Sequence, residues 1–304
     1  MALVSIITVN YNQPKATIDF LQSVAEYAKH EDIEVILVDN ANKEDFKNEF
    51  INAYPGLIYL QSDKNLGYAG GNNLGIREAK GEYMLLLNND TEITPHFIPT
   101  LVSEFEQNTD IGLLSPLIVF FDDKKTIQYA GFTKMNYITC RNGGIGSMEE
   151  NKGQYNNDSR ETGFCHGAAV MCRWADLEKA GLMDERYFLY YEELDWCEKF
   201  KHIDKKIWFT GKTFLYHKES MSVGRDSAIK TYFMTRNRML FIRRNTGFLN
   251  TFAFTCYYFA IAVPKQVFQY IKKGRFDLVK QTFKAVWWNL THSKNSCSLG
   301  FKIS

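Results

Sequence analysis

Apolar and polar positions alternate in blocks along the first ninety residues. Leu3 to Val9 is a continuous apolar, β-branched run closed by Asn10-Tyr11-Asn12, and it predicts a buried strand. Pro14 suits the first turn of a following helix, which carries Ile18, Leu21, Val24 and Ala25 on one face. Ile33 to Val38 repeats the strand pattern and ends in Asp39-Asn40. Leu57 to Leu60 gives a shorter third strand, and Tyr83 to Leu87 a fourth that ends in Asn88-Asn89-Asp90. Between these last two, Ala69 to Ala79 predicts a helix opened by glycines. Strands alternating with helices at this spacing predict an α/β fold with a mostly parallel sheet covered on both faces. From Ile111 to Tyr137 the pattern breaks into short strands, and Arg141 to Glu161 is polar and glycine-containing, as in a mobile loop. Phe164 to Cys172 is apolar again. Helices are expected from about Trp174 and from near Glu192, and a strand from Ile207 to His217.

The polar residues are informative because of where they fall. Asn10, Asp39 and Asn88–Asp90 each follow a strand immediately, and open α/β sheets bind ligands outside the carboxyl ends of their strands. Asn and Asp also start turns and cap helices without any ligand, so each position alone has that second reading. Three in succession favour a shared crevice. The run from Asn65 to Asn73, with Gly67, Gly70 and Gly71, places glycines at a helix start where backbone N–H groups can approach an anion. It matches neither the dinucleotide G-x-G-x-x-G nor the P-loop pattern, which argues against dehydrogenase and P-loop kinase chemistry. Asn88, Asn89 and Asp90 offer hard oxygen ligands, suited to Mg²⁺ or Mn²⁺ when phosphates complete the shell. Glu192, Glu193 and Asp195 gather carboxylates at a helix start among aromatic rings. Such a group can take a proton from a hydroxyl, or simply favour the helix dipole. His217 is a lone histidine at a strand end.

Composition is that of a globular chain, 45% hydrophobic and 23% charged over 304 residues, which excludes disorder as the main state. The net charge of +1 hides an asymmetry. From Lys230 onward thirteen Lys/Arg face a single acid, Asp277, whereas residues 1–229 carry 23 basic and 34 acidic residues. We therefore divide the chain into an α/β domain at 1–229, with halves of about 1–110 and 111–229, and a basic helical region at 230–304. Six cysteines without a C-x-x-C pair indicate neither a disulfide framework nor a zinc site and fit a reducing cytoplasm. The N-terminus lacks signal-peptide character. Phe248 to Val263 is aromatic-rich and ends at Pro264, but at about 16 residues it is short for a membrane span. Beyond it, Phe268, Ile271, Val279, Phe283, Val286 and Leu290 fall near helical spacing among lysines, with Trp287 and Trp288. That is the pattern of a basic amphipathic helix at an anionic membrane surface, here residues 246–304. The competing reading is a helix pair packed on the catalytic domain or on a second copy in a homo-oligomer. The apolar run beside the basic residues makes nucleic acid an unsuitable partner.

Taken in order, Val4 to Asn12, Val38-Asp39-Asn40, Asn65 to Asn73, Leu86 to Asp90, Gly167-Ala168-Ala169, Gly181 to Glu185, Tyr191 to Asp195, His217 and Arg236-Asn237-Arg238 resemble the family 2 inverting glycosyltransferases. The similarity is greatest to the rhamnosyltransferase-like subgroup that builds bacterial surface polysaccharides. The resemblance implies a GT-A fold, a UDP- or dTDP-sugar donor, a divalent Mn or Mg ion, and a glycan or lipid-linked glycan acceptor at the inner face of the cell membrane. It implies that Thr8, Asn10 and Asp39 hold the pyrimidine and ribose, and that Gly71 and Asn72 line the nucleotide pocket. Asp90 would ligate the metal through the diphosphate, His217 would complete its shell, and Glu193 would be the base. Two departures stand out. The family's D-x-D element is here Asn88-Asn89-Asp90, and the base is Glu where the family has Asp, so Asp195 stays a candidate. The missing first carboxylate keeps a glycan-binding protein with weakened catalysis in view. A nucleotidyltransferase would need a basic, glycine-rich triphosphate loop, which Val9 to Gln13 does not supply.

Overall fold

The structure, a computed structural model, describes residues 3–29, 31–218 and 227–303. Ten strands among the described residues form one mixed sheet. They are β1 (Val4–Asn10), β2 (Ile33–Asn40), β3 (Ile58–Ser62), β4 (Tyr83–Leu87), β5 (Thr91–Ile93), β6 (Ile111–Phe120), β7 (Ile127–Tyr129), β8 (Ser159–Glu161), β9 (Ala169–Arg173) and β10 (Lys206–His217). The order is β3-β2-β1-β4-β9-β6-β10-β5, with β7 on β6 and β8 on β10. The β3-β2-β1-β4 half is parallel throughout, and β9 then runs antiparallel between β4 and β6. Helices α1 (Pro14–Tyr27), α2 (Lys47–Ala53), α3 (Gly67–Glu78), α4 (Phe97–Gln107), α5 (Trp174–Ala180) and α6 (Glu192–Lys201) cover it. The chain ends in α7 (Ala228–Asn245), α8 (Phe248–Tyr257), α9 (Val263–Lys272) and α10 (Phe276–Thr291).

Both faces of the sheet are buried, as the continuous apolar runs require. Successive residues of a strand point to opposite faces. Ile6, Leu37 and Leu85 thus pack with Phe20, Leu21 and Val24 of α1, while Ile7, Ile36 and Leu86 pack with Ile76 of α3.

Several elements go beyond the sequence expectation. Phe97, Ile98, Leu101, Val102 and Phe105 carry the apolar face of α4, which the expected elements did not include, and α2 and β5 were also unanticipated. The region from Ile111 to Tyr137 opens with a ten-residue strand and only then breaks into the short β7 and isolated bridges at Phe132 and Asn136. Its internal Pro116 is accommodated because β10 shifts register between Thr210 and Phe214. The bulge also redirects β10 so that His217 pairs with Thr91, beside Asp90. The 141–161 segment is irregular, as expected, but it is fastened: Ala130 N donates to Ile145 O, Met148 N to Ile127 O and Gly211 N to Asp158 O.

The aromatic run does not stop at Pro264. A π turn at Tyr258–Ala262 joins α8 to α9, and Pro264 occupies the first turn of α9. Helices α7 and α10 pack on the catalytic domain. Arg236, wholly buried, stacks its guanidinium 4.1 Å over the Trp288 ring and donates to Arg186 O. No described helix is long and apolar enough to cross a membrane.

Candidate active site

Two cavities open at the carboxyl ends of the parallel strands. The first, about 500 Å³, is lined on one side by Val9, Tyr11, Asn40, Asn65, Tyr68 and Asn72, and on its floor by Asn88, Asn89 and Asp90. Its shape depends on an amide relay. Asn40 Oδ1 accepts from Leu66 N (2.8 Å), Asn40 Nδ2 donates to Asn65 Oδ1 (3.2 Å), and Gly67 N donates to the same Asn65 oxygen (2.9 Å). These bonds fix the turn that starts α3. Gly67 sits there at φ +71°, and a Cβ would lie 2.1 Å from Phe188 O, so only glycine fits. The released space lets Tyr68 N donate to Phe188 O, which ties the glycine turn to the 182–191 loop. The opposite wall is made by Ser227, Ile229 and the C-terminal Phe301, Lys302 and Ile303.

Four of the residues expected to hold the nucleotide lie behind this wall rather than in it. Asn10 Nδ2 donates to Asp39 Oδ1 (2.9 Å), and Tyr59 Oη donates to Asp39 Oδ2 (2.7 Å). Asn10 Oδ1 accepts from Thr17 Oγ1, which in turn accepts from Asn89 Nδ2. Asn10 and Asp39 are thereby buried and fully engaged, and they act on the cavity by positioning Asn89 and the β1 and β2 ends. Thr8 is wholly buried, its hydroxyl without a partner. Gly71 packs against the Val9 side chain, where a Cβ would come within 2.8 Å, so it serves close helix–strand contact and not the pocket lining. Asn65, Asn72, Asn88, Asn89 and Asp90 do line the cavity.

The second cavity, about 440 Å³, shares Tyr68, Asn88, Asp90 and Leu189 with the first, so the two meet at Asp90. It adds His166, Gln128, Glu192, Glu193 and His217. His217 Nε2 lies 3.2 Å from Asp90 Oδ1, and His217 Nδ1 meets Gln128 Oε1 at 2.8 Å. Burial, reinforced by His217, lowers the His166 pKa to about 3, and its Nδ1 accepts from Ala168 N; that ring is neutral. Glu192 is buried with Oε2 unpartnered, and burial followed by the adjacent Glu193 raises its pKa well above the carboxylate range. Glu193 is half-buried, and burial raises its pKa as well. Asp195 points elsewhere. Its Oδ1 accepts from Tyr187 Oη (2.9 Å) and Asn245 Nδ2 (2.8 Å), and Arg244 approaches at 3.8 Å, so it anchors α6 to α7 and lines neither cavity.

The acidic loop is held from the basic region. Asn237 Nδ2 donates to Tyr187 O, Leu189 O and Tyr190 O at 2.8–2.9 Å. Phe188, Tyr190 and Tyr191 all take positive φ, a conformation non-glycine residues keep only when their surroundings impose it. Sequence reasoning missed Tyr68, whose hydroxyl donates to Gly167 O (2.5 Å) between the cavities, although it stands inside the glycine motif. It also missed Gln128 and the 301–303 wall, which carry no local signal.

Asp90 Oδ1 is the oxygen best suited to a divalent cation. This buried oxygen has no hydrogen-bond donor and faces an imidazole nitrogen. No group of three His, Cys, Asp or Glu converges among the described residues. Asp90 and His217 are the side chains that could hold such an ion, with phosphate oxygens and water completing its shell.

The glycosyl transferase family 2 model matches residues 5–181, more than half of the chain. The chain belongs to this family. It is 27% identical over 241 residues to the low-salt glycan biosynthesis hexosyltransferase Agl10 of Haloferax volcanii, covering 78% of this chain and 74% of that one. It is 23% identical over 249 residues to an N-acetylglucosaminyl-diphospho-decaprenol L-rhamnosyltransferase of Mycobacterium tuberculosis, covering 73% and 78%. Among solved structures, GalNAc-T7 with UDP, GalNAc and Mn²⁺ superposes with a TM-score of 0.64 at 15% identity. That alignment covers 80% of this chain and about half, 48%, of the other. The fold of this family 2 chain is accordingly GT-A.

Proposed function

We propose that this family 2 protein transfers a sugar, with inversion, from a UDP- or dTDP-sugar to a hydroxyl of a glycan or lipid-linked glycan. The observation that carries the reading is the junction at Asp90, where an amide-lined cavity meets one that contains a carboxylate of raised pKa. The nucleotide occupies the first cavity, between Tyr11, Asn65 and Asn72, and its diphosphate lies toward Asp90. The acceptor enters the second, lined by Tyr68, Tyr190 and Leu194. Glu193 takes the acceptor's proton as that oxygen bonds to the anomeric carbon. The bond from that carbon to the leaving phosphate oxygen breaks on the opposite face, so a single displacement inverts the centre. Asp90 and His217 would hold a Mn or Mg ion, whose charge offsets the negative charge growing on the leaving diphosphate. Gln128 fixes the His217 ring through Nδ1.

The reading is tested by screening UDP- and dTDP-sugars for nucleoside-diphosphate release with and without Mn²⁺. Glu193→Gln should lower turnover about 10²–10⁴-fold while donor binding persists. Full turnover of that variant would remove Glu193 from the role. Binding of donors without any release, by the unaltered protein, would favour the glycan-binding alternative.

The basic helices carry the second half of the proposal, peripheral attachment to an anionic membrane surface at the inner face of the cell membrane. Phe248, Leu249, Phe252, Ile261, Phe268, Phe276, Phe283 and Trp287 are all more than half exposed. Lys265, Lys272, Lys273, Lys280 and Lys284 lie among them, the composition of an interfacial surface. Such placement would bring a lipid-linked acceptor to the second cavity.

A further inference from the structure

A third cavity, about 590 Å³, lies between the 140–142 segment, α7 and the π turn leading into α9. It shares Asn142 and Lys230 with the cavity that contains Glu193, so the two adjoin. Its wall holds four cations, Arg141, Lys230, Arg238 and Lys265, and no carboxylate. Among the described residues none of the four is paired with an acid. Arg238 spends one nitrogen on Thr139 O, while its buried Nε has no acceptor. Lys230 Nζ stands 5.8 Å from the centroid of the Tyr190 ring. Burial pushes the Cys140 thiol up to about 11, so it adds no negative charge. Several other cations on this chain are paired with acids, as where Lys212 meets Glu104 and Lys218 meets Asp19 and Glu92. Four like charges facing one cleft repel one another, and an anion there would relieve the repulsion and satisfy the guanidinium donors together.

The cleft also borders the apolar surface. Ile261, Lys265 and Phe268 lie on successive turns of the same helical rod, so Lys265 lines the cleft and also stands between two exposed apolar residues.

We infer that this cleft binds the phosphate or diphosphate that joins an acceptor glycan to its lipid carrier. The sugar extends past Asn142 and Lys230 toward Glu193, and the hydrocarbon passes Ile261 and Phe268 toward the membrane. The inference rests on the transferase reading above and assigns a place to the phosphate of its lipid-linked acceptor.

The test uses the full chain and farnesyl diphosphate as the probe, followed by isothermal titration. Inorganic pyrophosphate, UDP, dTDP and farnesol serve as competitors. We expect farnesyl diphosphate to bind, to be displaced by pyrophosphate, and not to be displaced by UDP, dTDP or farnesol. The double variant Arg141→Gln/Lys265→Gln changes two exposed side chains and should fold as the unaltered protein does. It should lose about tenfold or more in farnesyl diphosphate affinity, as charge-assisted bonds imply, with UDP and dTDP affinities unchanged. No binding of the probe, displacement by a nucleotide, or equal affinity in the double variant would overturn the assignment. So would a variant that loses only its affinity for phosphatidylglycerol vesicles, since the cations would then serve bulk lipid headgroups. Loss of nucleotide binding in the unaltered protein would instead count against the donor cavity, leaving the cleft measurement independent.

Discussion

His217 Nε2 stands 3.2 Å from Asp90 Oδ1, joining residues 127 positions apart in the chain. Strand β10 pairs with β5 at His217↔Thr91, and Lys218 N donates to Asp90 O, so backbone bonds on both sides fix the distance. Gln128 holds the far ring nitrogen. A pair preset this way needs little rearrangement to share a cation with a diphosphate.

That arrangement predicts a specific role for Gln128. Gln128→Leu removes the acceptor at His217 Nδ1 without touching Asp90. The Mn²⁺ concentration for half-maximal nucleotide release should rise about 10–100-fold, with turnover at saturating metal nearly retained. An unchanged metal titration would show that the second bond of His217 does not matter.

The pH dependence follows from Glu193. Burial raises its pKa, and it accepts a proton only when ionised. Activity should therefore fall as pH decreases through that raised value, so the acid limb of kcat/KM lies above the value of about 4.3 for an exposed glutamate. A limb at the ordinary carboxylate position would exclude Glu193 as the titrating base.

Glu192 bears on stability. A carboxyl whose folded-state pKa is raised favours the folded state least when it must ionise, so its cost is absent below the unfolded pKa of about 4.3 and grows as pH rises toward the folded value. Glu192→Gln keeps the shape and removes the charge. The variant should have a higher Tm than the unaltered protein at pH 7–8, with the gap closing near pH 4. Equal Tm values throughout would mean that Glu192 is solvated or partnered in solution.

The membrane reading predicts loss of vesicle binding when exposed rings are removed. Phe252 and Phe268 are 61% and 67% exposed, and each would contribute about 1.5–3 kcal/mol on burial. Phe252→Ser/Phe268→Ser should lower partition onto phosphatidylglycerol vesicles by about tenfold or more, without altering nucleotide binding. If neither form binds vesicles but the chain self-associates, a second copy covers this face.

Sequence alone determined much of this protein. The continuous apolar runs of β1, β2 and β4 could satisfy their composition only in a doubly covered sheet, so the fold class was legible from period and punctuation. The polar residues after those strands marked the correct sheet end for the same local reason, and Asn65, Asn72, Asn88, Asn89 and Asp90 line the cavity there. Tertiary structure decided which polar groups face the cavity and which support it. Asn10, Asp39 and Asp195 look like site residues by type and position, yet packing turned them into buried hydrogen-bond partners, because unsatisfied polar groups inside a core are costly, while Thr8 is buried with its hydroxyl unpartnered. The basic region was divided in the same way. Charge asymmetry set it apart in the sequence, but only the folded chain shows Arg236 and Asn237 holding the 182–191 loop while α8, α9 and α10 keep an apolar face outward. A residue's chemistry is local, whereas its neighbours across 50 or 127 positions come from how the sheet and helices close on one another.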